Sequence, residues 1–151
     1  MERHCEVIVR SDAIFVFGNA ETQPGVRITG QPVTKLPANV DAENLGRAVL
    51  ATLNACRAGV KHPAPEQWEA SEQDSLRGTG FVSWRKLSKG ALRLGIQTEG
   101  SSVVVTPTAT DGRGGYADIV AMAVTSTSDP RQIGEAVRNA LQRCETKSKL
   151  P

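Results

Sequence analysis

Two stretches of this chain carry nearly the same text: LGRAVLATLNACR at 45–57 and IGEAVRNALQRCE at 133–145. Leu45 matches Ile133, Gly46 matches Gly134, Ala48-Val49 matches Ala136-Val137, Leu53 matches Leu141 and Cys56 matches Cys144. The apolar residues of each recur three or four apart, which puts them on one face of an amphipathic helix. The start signals agree. Asp41 can cap the first helix with Val40 as a hydrophobic staple, and Asp129 caps the second with Pro130 at its first position. Gly59 stands where the first helix is expected to stop. A glycine inside a helix costs about 1 kcal/mol relative to alanine. Its use twice, at one position of the repeat, is expected where each helix approaches another backbone closely; simple tolerance of a first-turn glycine is the other reading.

Outward from the helices the text repeats more loosely. Before the first helix, EVIVRS and AIFVFGNA are β-branched and aromatic strands parted by the turn-prone Ser11-Asp12. In GVRITGQPVTKLP, Val26 and Ile28 alternate with Arg27 and Thr29, Gly30-Gln31 can turn, and Val33 opens a further strand. Before the second helix, ALRLGIQTEG alternates in the same way, and SSVVVTPTA and GYADIVAMAVTS supply two more strands. The connector is less regular: a short helix over about 66–76 and a helical turn at 82–89. The expected fold is therefore α+β: one domain, 1–151, built from two strand-rich units, about 6–59 and 91–145, each followed by a helix. Residues 60–90 join them, and the antiparallel sheets stand in a pseudo-twofold arrangement. A sheet-plus-helix unit cannot bury both of its apolar surfaces alone, so two such units close one core.

The totals limit what such a fold can do. A net charge of +2 is far from the strong basic field of a duplex-DNA binder and from a wholly acidic mimic of nucleic acid. Aromatic residues are 4% of the chain, so aliphatic side chains must fill the core. Cys5, Cys56 and Cys144 form an odd, sparse set unlike a disulfide framework. The opening MERHCEVIVR has no apolar run of signal-peptide length, and no stretch could span a bilayer as a helix, so the reducing cytosol is the expected compartment.

Catalytic chemistry finds little to work with. His4 falls in an N-terminus expected to fray, and His62 in VKHPAP reads as a loop histidine after a helix. No Cys or His spacing fits a metal, and Cys56 and Cys144 read as small apolar residues on the inner helix faces. DGRGGY at 111–116 lies between strands and reads as a hairpin loop rather than a phosphate cradle. No enzymatic activity and no cofactor are expected. Two charged stretches remain. Glu66, Glu69, Glu72 and Asp74 cluster on the connector helix without a local basic partner, either as a solvated face or as a face for a basic partner. Trp68 among them either anchors that helix or reaches into the partner. Directly after come Arg77, Arg85, Lys86, Lys89 and Arg93, interleaved with Phe81 and Trp84. That mixture suits single-stranded nucleic acid, unless the aromatics are core anchors.

The wording of IFVFGNAETQPGVRITGQPV, LGRAVLATLNACRAGVKHP and SWRKLSKGA resembles the immunity proteins of bacterial contact-dependent growth inhibition systems, over about Glu6 to Glu145. The resemblance implies a cytosolic protein without enzymatic activity or cofactor. Its partner would be the cognate toxin C-terminal domain, often a nuclease, of a large secreted exoprotein. The family carries over no shared contact residues. The toxin-binding residues expected here are Glu66, Trp68, Glu69, Glu72 and Asp74. Strands-then-helix written twice is also similar to the Whirly-type architecture, whose members bind single-stranded nucleic acid. That makes a Whirly-like single-strand binder, working through 77–93, the alternative function.

Overall fold

The computed structural model describes residues 2–23, 25–111, 113 and 115–147. Three strands come first: β1 (His4–Val9), β2 (Ala13–Thr22) and β3 (Arg27–Pro37). Helix α1 (Ala42–Asn54) and a short β4 (Arg57–Val60) follow. The connector holds α2 (Trp68–Ser75), entered through a 3-10 turn at Pro65–Gln67, and α3 (Trp84–Ser88). Then come β5 (Leu92–Glu99), β6 (Ser102–Thr110), β7 (Tyr116–Asp118), β8 (Val124–Ser126), α4 (Pro130–Gln142) and β9 (Glu145–Thr146). The fold is mixed α+β with a large antiparallel sheet, as the alternation of strand and helix periods implied.

The strands are ordered β3-β2-β1-β5-β6-β7, with β8 also on β6. At the centre β1 pairs antiparallel with β5, Glu6 opposite Gly95 and Val7 opposite Leu94. This pairing corrects the expectation of separate antiparallel sheets, because it joins the strands of both halves into one. Each long helix returns as a short strand parallel to its own half: β4 beside β2, and β9 beside β6.

One face of the sheet carries the main core. Cys5 and Val7, Ile14 and Val16, Leu94 and Ile96, and Val103 and Val105 all point to it. Against them lie Leu45, Val49 and Leu53 of α1 and Ile133, Val137 and Ala140 of α4. Both helices start as their sequences imply: Asp41 accepts from the Asn44 amide and Asp129 from the Gln132 amide. The two helices pack on each other through their repeated glycines. A methyl group at Gly46 would overlap the carbonyl oxygen of Pro130, and one at Gly134 would overlap that of Ala42. Close approach, rather than tolerance, explains both glycines. Arg138 of α4 adds a tie, donating to the carbonyl oxygens of Ala38 and Val40 just ahead of α1.

The opposite face is half covered. In AIFVF, Ala13, Phe15 and Phe17 face away from the main core, and Ile8 joins them. Leu76, Leu87 and the part-buried Phe81 and Trp84 of the connector close over these residues. Phe81 meets Phe15 edge-on at 6.1 Å and Trp84 lies 4.9 Å from Phe17, centroid to centroid. Phe81 and Trp84 are thus anchors, and the connector completes a second core. Two polar ties hold it. Arg10 at the end of β1 donates to the carbonyls of Leu87 and Lys89 at 2.7 and 2.8 Å, at the negative end of α3. Gln31 donates to those of Asp74 and Arg77 at the end of α2, both at 3.1 Å.

Several local expectations change. Gly30-Gln31 makes no turn: β3 runs on with a bulge, Gly30 pairing with Gly18 and Val33 with Phe17, and the bulged Gln31 is the residue that reaches α2. Helix α1 ends at Asn54, before Gly59, which has positive φ inside β4. Cys56 and Cys144 therefore sit just past their helices, half-buried. Their thiols donate to the His4 carbonyl at 2.9 Å and the Arg93 carbonyl at 3.6 Å. GYADIVAMAVTS is two strands, not one, split by a 3-10 turn at Val120–Met122. His4 is not frayed but opens β1 opposite Gln97. The 111–116 loop lies partly outside the described residues.

Gly46→Ala and Gly134→Ala should each lose about 2–3 kcal/mol or more by urea denaturation, through overpacking of the helix crossing. At an exposed helical site the same change would gain about 1 kcal/mol. The matched leucines should differ as well. Leu53 is fully buried and Leu141 only partly. Leu53→Ala should therefore cost about 2–5 kcal/mol, and Leu141→Ala measurably less in the same assay.

Candidate functional site

The acidic helix lies at the edge of the second core. Its apolar side is short, and Ser75 is its only buried member. Glu66 and Glu69 are exposed, with no ion-pair partner among the described residues. The other two acids are employed locally. Glu72 accepts from the Trp84 amide at 2.7 Å, at the start of α3. Asp74 pairs with Arg77 at 2.9 Å, although both are well exposed. The expectation that all four carboxylates lack partners therefore holds for only two. Trp68 does not anchor the helix: 59% of its surface is exposed, and its Nε1 donates to the Pro63 carbonyl at 3.3 Å. Beside it opens a cleft of about 290 Å³ whose walls include Ile28, Thr29, His62 and Trp84. Arg85 and Lys86 of α3, and Lys89 just past it, are exposed, but the neighbouring aromatics Phe81 and Trp84 face the second core. They do not form the stacking platform that single-stranded nucleic acid needs.

Thr29 also lines a second depression on the same side of the sheet, of about 340 Å³, which sequence reasoning did not identify. Its floor is the part of β1 and β5 that the connector leaves open. Glu6 and Arg93 form an ion pair there, at 13% and 15% side-chain exposure. The Glu6 carboxylate also accepts from the Thr29 hydroxyl at 2.8 Å. The Arg93 guanidinium lies 3.9 Å from the Tyr116 ring centroid, a cation–π contact. Burial, and next the Glu6 charge, push the Tyr116 phenol up, so its hydroxyl stays protonated. At the other end Arg27 meets the His4 ring at 2.7 Å. These groups come from four strands, so no spacing in the chain announces them. One sign was available: Glu6 and Arg93 are opposite charges in the interior of strands rather than in loops.

On a mixed α+β scaffold, the surface thus presents an acidic helix with an exposed tryptophan beside a polar groove. The sequence model of the CDI immunity protein family, CdiI, matches residues 4–144, and the chain belongs to that family. Two solved structures share its fold. A Neisseria meningitidis protein of unknown function is similar with a TM-score of 0.74 and 21% identity, over 96% of each chain. A chain of the CdiA-CT/CdiI toxin and immunity complex from Yersinia pseudotuberculosis is similar with a TM-score of 0.77 and 16% identity, over 96% of this chain and 98% of that one. No curated protein matches the sequence. No helix is long and apolar enough to cross a membrane among the described residues.

His4 makes the face sensitive to acid. Burial first, then the Arg27 charge, lower its pKa below 6.5, against a smaller opposing pull from Glu2 and Glu21. Arg27 can only donate, so the ring nitrogen facing it must be unprotonated. The unfolded chain then binds more protons than the folded one in this range. The stability that His4 contributes is complete above about pH 6.5 and is lost as pH falls through the lower folded value. Urea midpoints measured across that window should fall more steeply for the wild type than for His4→Gln.

Proposed function

We propose that this chain is the cytosolic immunity protein of a contact-dependent growth inhibition system, that it binds and neutralises the toxin domain of that system, and that the toxin is a nuclease. Membership of the CDI immunity family supports the first part, as does the fold shared with a chain of the Yersinia toxin and immunity complex. Neutralisation needs no chemistry from the inhibitor, only occlusion.

The site we propose is the acidic connector, with Glu66, Trp68, Glu69, Glu72 and Asp74. The observation that carries it is the exposure of Trp68, the side chain among them with the largest apolar area. Tryptophans that project from a surface serve as interface anchors. Glu66 and Glu69 flank it, free to meet a basic, phosphate-binding groove in place of substrate phosphates. Glu72 and Asp74 contribute less, since each already holds a local partner. Charges at such a rim chiefly speed association.

The scaffold behind this site we read as one domain of two related halves, about 6–59 and 91–145, in a Whirly-like pseudo-twofold arrangement. Three correspondences support it: the central β1–β5 pair, the mutual glycine contacts of α1 and α4, and the short parallel strand after each helix.

Cells making the toxin domain encoded beside this chain should grow only when the chain is co-expressed. Death despite soluble expression would refute the immunity reading. Glu66→Lys with Glu69→Lys should leave the melting temperature unchanged and slow association with the toxin by about tenfold at low salt, less at high salt. Equal association rates for wild type and variant at both salt concentrations would place the interface elsewhere.

A further inference from the structure

The cleft beside Trp68 has an unusual lining for a helix laid on a sheet. Trp68, Ser71, Glu72 and Ser75 stand at i, i+3, i+4 and i+7 of α2, so they share one face of the helix, and all of them line the cleft. A docking helix carries large apolar residues on such a stripe. Here two hydroxyls and a carboxylate take their places. At the Ser75 end α2 lies close on β3, where a Cβ at Gly30 would come within 2.8 Å of Ser75 Oγ. Toward Trp68 the cleft opens, with Ile28 and Trp84 on its other walls. Glu72 is the one acid there, and no lysine or arginine among the described residues lines it. Its Oε1 accepts from the Trp84 amide at 2.7 Å, which fixes the carboxylate in place. Its Oε2 has no hydrogen-bond partner among the described residues and, unlike Glu6 Oε2 in the neighbouring groove, is not shut away from solvent. The Trp68 ring is tethered too, since its Nε1–H is taken by the Pro63 carbonyl. What the exposed indole offers a partner is therefore its π face.

We propose that this cleft receives an arginine side chain of the toxin, its guanidinium on the Trp68 ring and donating to Glu72 Oε2, its stem along Ile28 and Trp84. The charge selects the occupant. An apolar side chain would strip water from Oε2 without replacing its hydrogen bond. An acidic one would be repelled by Glu72, with Glu66 and Glu69 unpaired nearby. A cation meets both the carboxylate and the negative face of the indole. Arginine suits the pair better than lysine, because its planar head stacks on a ring while its N–H groups point outward in the plane to a carboxylate. The inference rests on the toxin-binding reading above and names the group that enters. The tie to the Trp84 amide makes Glu72 a lesser charge at the rim but a fixed acceptor inside the cleft. In this arrangement Glu66 and Glu69 govern how fast the toxin arrives, and the cleft governs how long it stays.

The test uses the full chain and the toxin domain encoded beside it, with binding kinetics at low and high salt. Glu72→Gln keeps a side-chain oxygen to accept from the Trp84 amide and removes the charge. Its melting temperature should match that of the wild type, and its dissociation rate should rise by about tenfold or more at both salt concentrations. Trp68→Leu, at an exposed site, should speed dissociation as well. Combined with Glu72→Gln, the two effects should fall short of multiplying, because one cation is lost either way. On the toxin, one arginine replaced by glutamine should give a similar rise against the wild type and little further rise against Glu72→Gln. If Glu72→Gln or Trp68→Leu, once folded, dissociates like the wild type, the arginine cleft is overturned, while the association test of Glu66 and Glu69 stands on its own. If no toxin arginine couples to Glu72 or Trp68, the occupant is not arginine and the proposal is overturned. If the wild type itself does not bind the toxin, the toxin-binding reading fails and takes the cleft with it. Should Glu72→Gln fail to fold, Trp68→Leu against the toxin arginine variants decides alone, and absence of coupling overturns the proposal.

Discussion

Two glycines set the geometry on which the rest depends. Gly46 rests against the Pro130 carbonyl and Gly134 against the Ala42 carbonyl, each contact running from one helix to the first turn of the other. Neither can be relaxed by a rotamer change, because both neighbours are backbone. The crossing distance of α1 and α4 is therefore fixed near its minimum. Leu45, Val49, Ile133 and Val137 can then reach the same strands. With the helices held on one side, the strands of both halves share one core surface, and β1 and β5 meet edge to edge at its centre. The other side of the sheet is left to be finished by whatever the connector supplies.

The connector finishes only half of it. Ile8, Phe15 and Phe17 occupy the end of the sheet under α2 and α3, where Leu76, Leu87, Phe81 and Trp84 cover them. Beyond Phe17 and Ile8 the outward residues become polar: Glu6, Asn19, Arg93, Gln97. A sheet face open to water must present such residues, but it need not bury an ion pair. Removing two charges from water is costly, and replacing a buried pair by apolar residues is often neutral or stabilising. The Glu6–Arg93 pair is therefore poor evidence for a stability role.

What the sequence disclosed follows from how local each signal is. The helix caps, the apolar stripes and the paired glycines are written within a few residues, and the structure holds each where the text put it, except that Cys56 and Cys144 fall just past the helix ends. Phe81 and Trp84 were readable as anchors because aromatic residues are scarce and the core must use them. The end of α1 was not readable: Gly59 looked like a stop, but its positive φ serves the short strand that returns beside β2. Trp68 stayed ambiguous because Trp68 and Leu76 give too weak a stripe to tell which one packs. The groove was invisible because Glu6, Asn19, Arg27, Arg93 and Tyr116 become neighbours only after five strand registers are set. The bulge at Gln31 was hidden for the same reason, since its purpose is the end of α2, some forty residues along the chain.

A slightly basic protein that proposes an acidic face to its partner involves no contradiction once distances are considered. Free charges are screened over about 8 Å at physiological salt. A partner at contact range responds to what lies within that radius, not to the +2 of the whole chain. An eight-residue helix such as α2 is about 12 Å long, so its carboxylates fill roughly one screening radius. The exposed bases Arg85 and Lys86 follow on α3, and Lys89 just past its end. Along the chain the charge therefore steps from acid to base, where a uniform field would only attract. An attractive patch can speed encounter with any basic surface. A patch with a like-charged neighbour can also disfavour wrong orientations, since misplacing a basic partner over α3 brings repulsion. Such local patterning lets a chain of nearly balanced charge be selective.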